Sequence, residues 1–125
     1  MASSITSGPA TLDWKVYAGD ANKELLQFYA ADQPWNLTGA TITAQARKTA
    51  SDPTAALTAT CTVETASGTG IVSVAWDGEQ VRTLLGASEE WTGVWDLQVK
   101  ETGQTLPRTV LRGVFSAVMD VTRTP

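Results

Sequence analysis

The chain contains no histidine and a single cysteine, and nowhere in its 125 residues does an apolar run approach the roughly 20 needed to cross a bilayer. The missing histidine removes the most versatile acid/base side chain and the commonest metal ligand. The lone cysteine excludes an internal disulfide and a thiolate metal cluster. Cys61 lies in the alternating run Leu57-Thr58-Ala59-Thr60-Cys61-Thr62-Val63, on the face of Leu57, Ala59 and Val63, and reads as a small buried hydrophobe. Charge is also scarce, at 18% of residues, with 9 Lys and Arg against 13 Asp and Glu. The basic residues are scattered from Lys15 to Arg123 without forming a run. Nucleic acid, which needs a clustered basic face to displace counterions, is therefore not an expected partner, and neither is a membrane. The stretch from Met1 to Pro9 lacks the basic start and apolar core of a secretory signal, so residues 1–10 read as a flexible arm on a protein made in a cytoplasm.

What is present is β-branched and alternating. Asp13 to Ala18 places Trp14, Val16 and Ala18 on one face, and Gly19-Asp20-Ala21-Asn22 supplies a turn. Glu24 to Ala31 reads as a strand, Asp32 to Gly39 as a loop, and Ala40 to Arg47 as a strand with Ile42, Ala44 and Ala46 inward. After a loop around Ser51-Asp52-Pro53 come strands over Leu57–Glu64 and Ile71–Trp76, separated by a turn over Ala66–Gly70. Asp77 as N-cap, Gln80 three residues later and Gly86 as C-cap predict one short helix over about 78–85, with Val81, Leu84 and Leu85 as its apolar stripe. Trp91 to Lys100 is a strand carrying Trp91, Trp95, Leu97 and Val99 on one face. Gly103-Gln104 turns it into a last strand from about Arg108 to Val121. About seven short strands with one helix predict an all-β, immunoglobulin-like antiparallel β-sandwich, a single domain over 11–121 with a tail over 122–125.

The same residues are poor in chemistry. Asp77 and Glu79 suit a helix start, where acids favour the dipole, and Glu89-Glu90 reads as a solvated turn. No catalytic residue, cofactor or metal site is expected. Asp20, Asn22 and Asp32 offer loop oxygens, but turn chemistry accounts for them. Gly68-Thr69-Gly70 is too short to cradle a phosphate and reads as a hairpin turn. Asn36-Leu37-Thr38 matches a glycosylation sequon, accidental without a secretory signal. The five tryptophans are the informative excess. Trp14, Trp91 and Trp95 share faces with aliphatic residues and suit a core or a subunit contact. Trp35, beside Pro34 in a loop, is a candidate for a sugar-stacking platform as well as for an interface.

Three stretches carry a resemblance. DQPWNLTGATITAQAR, from Asp32 to Arg47, is similar to a turn and strand in small tail and baseplate proteins of tailed bacteriophages. There a "Gly-x-Pro-x-x-Leu-Thr-Gly" turn leads into an alternating strand ending in Arg. Here Asp32 and Gln33 replace the Gly-x start, and Trp35 stands where a smaller apolar residue is common. GIVSVAWDGEQVRTLLGASEEWTGVWDLQV resembles the family's strand, short helix and aromatic-Asp-Leu strand, with Trp95, Asp96 and Leu97 in the last positions. The ending LRGVFSAVMDVTR matches at Leu111, Gly113, Phe115, Asp120, Val121, Thr122 and Arg123. The similarity spans roughly Asp13 to Arg123. It implies the immunoglobulin-like N-terminal domain of upper baseplate proteins, which attaches receptor-binding fibres.

With no fibre region after Pro125, the expectation is a stand-alone virion subunit of the tail, baseplate-proximal. Such a subunit would be homo-oligomeric or bound to other tail or baseplate proteins, and not an enzyme. A capsid decoration or head-fibre protein of the same fold is the alternative. So is a carbohydrate-binding module that holds a surface glycan at Pro34 and Trp35. The interface or glycan candidates are Trp35, Pro34 and Trp91.

Overall fold

Alternation with a period of two gives each strand one apolar face to bury. In the computed structural model, which describes residues 9–30, 32–64 and 69–120, those faces meet between two sheets. Among the described residues the elements run β1 (Ala10–Thr11), β2 (Trp14–Tyr17), β3 (Asn22–Gln27), β4 (Tyr29–Ala30), β5 (Gln33–Pro34), β6 (Thr41–Arg47), β7 (Leu57–Thr58), β8 (Thr60–Val63), β9 (Ile71–Trp76), α1 (Gly78–Leu85), β10 (Glu90–Lys100) and β11 (Arg108–Val118). The larger sheet has the order β1-β11-β10-β6-β7, with β2 also on β11, and the smaller has the order β3-β9-β8. β4 and β5 form a separate hairpin. Seven of these strands are four residues or longer, the number expected, and β1, β4, β5 and β7 have two residues each.

The core joins Trp14, Val16, Ala44, Ala46, Trp95, Leu97, Val99, Phe115 and Ala117 of the large sheet to Val72, Val74 and Trp76 of the small one. Each fully buried Val, Leu or Phe side chain contributes about 1.5–3 kcal/mol relative to exposure. Helix α1 packs Val81 and Leu85 against the ends of β2, β10 and β11. It spans the predicted residues. Asp77 Oδ1 accepts from the Glu79 and Gln80 amides at 2.8 and 3.4 Å, and Gly86 ends the helix at φ 58°.

Four expectations change. The sandwich is not wholly antiparallel, because β1 and β2 both run parallel to β11. Ala10 therefore belongs to the sheet and not to a free arm. Between β1 and β2, Leu12 and Asp13 pass close over Gly113, where a Cβ would collide with the Leu12 carbonyl. Secondly, the single strand expected over Leu57–Glu64 is divided between sheets: β7 pairs with β6, and β8 pairs with β9. The alternating pattern survives the crossing at Ala59 because both inner faces look into one core. Thirdly, β3 starts earlier and stops sooner than Glu24–Ala31, and β4 then folds back onto β5 inside the expected loop. Asp32 makes that reversal at φ 65°. Lastly, β11 ends at Val118. Residues 1–8, 31, 65–68 and 121–125, with most of the expected arm, the last residue of the Glu24–Ala31 strand, part of the Ala66–Gly70 turn, the end of the last strand at Val121 and the tail, lie outside the described residues.

Candidate functional site

Trp35 is not a surface platform. Its side chain is 8% exposed and belongs to the core. The indole Nε1 donates to Glu101 Oε2 at 3.0 Å, and the Arg108 guanidinium lies 5.2 Å from the ring centroid. Arg108 reaches this place through a bulge. The β10–β11 register skips a residue between Leu97 and Gln98, so that Arg108 opposes inward Val99 and Thr109 opposes Gln98. An extra residue of this kind re-aims the side chains beyond it. With one side packed in the core and a cation over the ring, Trp35 leaves no face for a sugar. Pro34 beside it is exposed, in a two-residue strand.

The next turn explains the Leu-Thr-Gly motif. Leu37 is buried, Ala40 N donates to Leu37 O at 3.0 Å, and Gly39 takes φ 74°, which a side chain disfavours. Asn36 Oδ1 accepts from Thr38 N and Thr38 Oγ1, at 3.0 and 2.6 Å, which makes the sequon asparagine a turn residue.

Trp91 is half-buried at the start of β10. It lies edge-to-face with Phe115, at 6.3 Å between centroids, and covers Gly93. Lys48 Nζ sits 5.3 Å from its ring and donates to Thr92 O at 2.7 Å. Both aromatic candidates are thus engaged within the chain, on different elements, and the structure does not bring them together.

The outer face of the large sheet carries Asp96 opposite Arg112 on β11 and Gln45 on β6. Burial pushes the Asp96 carboxyl above its ordinary range, and the Arg47 and Arg112 guanidinium groups pull it back in part. Cys61 is half-buried, and burial raises its thiol, against a smaller opposing effect of a hydrogen bond with the Ala44 backbone. A raised thiol is a poor nucleophile. Asn22 binds Tyr17 N, Tyr17 O and Asp20 O through its side chain, closing the β2–β3 turn. Among the described residues no three Cys, Asp or Glu side chains gather as a metal site. An open groove of about 580 Å³ runs between α1 and β7, lined by Leu57, Glu79, Thr83 and Leu84 among others.

The feature that sequence reading did not single out is the edge of the small sheet. Phe28 N donates to Gly70 O at 2.8 Å, which continues the β3–β9 register, and Glu64 N donates to Ile71 O at 2.8 Å in the β8–β9 register. In an antiparallel ladder, bonded residues alternate. Asn22, Glu24 and Leu26 therefore turn their backbone groups toward β9, while Lys23, Leu25 and Gln27 turn theirs to the other side, where no strand lies among the described residues. Leu25 is 60% exposed and Tyr29, just beyond, 59%. The exposed Leu25 among charged neighbours was the available signal, but a sequence does not reveal which strand lies at an edge.

Comparison with family models and with curated proteins found no match to this chain.

Proposed function

We propose that the chain is a structural subunit of a tailed-bacteriophage virion, placed in the tail near the baseplate, where it joins neighbouring subunits and catalyses no reaction. The observation that carries the assembly role is the open β3 edge. A six-residue strand without proline presents N–H and C=O groups that are unpaired among the described residues, and an exposed leucine, which is the geometry completed by strand addition. The sequence resemblance supplies the setting. Its matched residues Leu37, Gly39, Trp95, Leu97, Gly113 and Phe115 form the turns and core of the sandwich, so what it supports is a shared scaffold. A carbohydrate-binding role loses its best candidate with the burial of Trp35.

Antibodies raised against the purified chain test the placement. Immunogold labelling of the tailed particles whose genome encodes it should mark the tail end. Label over the capsid would instead support a decoration role, and absence of label from particles would contradict any virion role.

A further inference from the structure

The open edge of β3 suits a particular occupant. We propose that β3 pairs antiparallel with β3 of a second copy, with Leu25 opposite the Leu25 of its mate, so that β8-β9-β3 continues into a six-stranded sheet across a two-fold axis. This rests on the assembly reading and names its partner and register.

Register, charge and the exposure of Leu25 together favour this pairing. A two-fold axis normal to the sheet keeps each side chain on its own face, so directly opposed residue numbers must sum to an even value. A pairing centred on Lys23 sets two ammonium groups against each other. Centring on Glu24 opposes two carboxylates. Like charges directly opposed are destabilising. Centring on Leu25, Leu26 or Gln27 brings no like charges face to face, and of these only the Leu25 register sets the exposed Leu25 against its own copy, with Lys23 opposite Gln27 and Glu24 opposite Leu26. The same register makes Lys23, Leu25 and Gln27, whose backbone groups face the open side, the hydrogen-bonding residues of the new ladder. It also removes the 60% exposed Leu25 side chain from water at the two-fold axis. An isologous contact of this kind closes on itself and yields a dimer, not a fibre.

The test uses the full chain and Leu25→Lys, a substitution at an exposed position that should leave the circular dichroism spectrum unchanged. Light scattering should show twice the single-chain mass for the parent. For Leu25→Lys the dissociation constant should rise at least about tenfold, because two ammonium groups then face each other. A parent that associates while Leu25→Lys associates equally well overturns the β3 contact and leaves the assembly reading standing. A parent that stays monomeric throughout overturns the dimer, and assembly then requires a different partner subunit. As a check independent of affinity, Leu25→Cys in a Cys61→Ala background should be joined by a short bismaleimide, since directly opposed Cβ atoms lie about 5.5 Å apart. Gln98→Cys, on the outer face of the large sheet, should not be joined. Equal yields at both positions would overturn the register.

Discussion

Four aromatic rings meet at the centre of the sandwich, and they do not make equal demands on it. Trp76 packs against Trp14, Trp95 and Phe115 at centroid distances of 5.8, 6.3 and 4.7 Å. Its indole N–H is buried with no hydrogen-bond partner among the described residues. Trp95 differs: its Nε1 donates to Leu12 O at 2.7 Å and ties the N-terminal segment to the core. Leaving a buried polar group without its partner costs about 1–3 kcal/mol. Trp95→Phe and Trp76→Phe delete the same volume, but only the first strands the Leu12 carbonyl. Urea denaturation should show Trp95→Phe as the more destabilising by about 1 kcal/mol or more. Equal losses would mean that the Leu12 bond adds nothing.

At the scale of elements, the N-terminal segment is held by a glycine on the strand that it joins. β1 and β2 lie beside β11 in one continuous register, and Gly113 leaves room for the close approach of Leu12 and Asp13 between them. Leu12 N donates to Arg112 O at 2.9 Å, and Asp13 Oδ1 accepts from Val114 N at 2.9 Å. Gly113→Ala should displace this segment and destabilise the fold by about 1–3 kcal/mol, as overpacking does. Hydrogen exchange should show faster exchange at the Leu12 and Val114 amides, and unchanged exchange with unchanged stability would contradict the close approach. Gly113 also shows where sequence reading ended. Strand faces and the helix were legible because periodicity and caps are local, as with Ala44 and Ala46 or Asp77. Pairing partners were not. Nothing local in Ala10-Thr11-Leu12-Asp13 says that it runs parallel to a strand about a hundred residues later, or that the 57–64 run changes sheets at Ala59. Trp35 read as a surface residue because its flanking Pro34 and Asn36 are loop-like. Its burial depends on Glu101 and on the bulge that turns Arg108 over it, both far along the chain.

For the whole molecule, the two sheets have unequal edges. The large sheet ends on one side in β7, a two-residue strand with α1 across a groove from it. The small sheet ends on one side in β3, six residues long, which carries exposed Leu25 and has exposed Tyr29 just beyond it. Proteins that remain single usually shorten, twist or cover such an edge. In the proposed pairing Lys23 and Glu24 face uncharged Gln27 and Leu26, whereas a pairing centred on either of them would oppose like charges. The most direct test of this account is the mass of the purified protein in solution, followed by light scattering over a concentration series. The account predicts a mass that rises with concentration to a plateau at twice that of one chain. A mass that stays at one chain at every concentration would contradict self-association through β3.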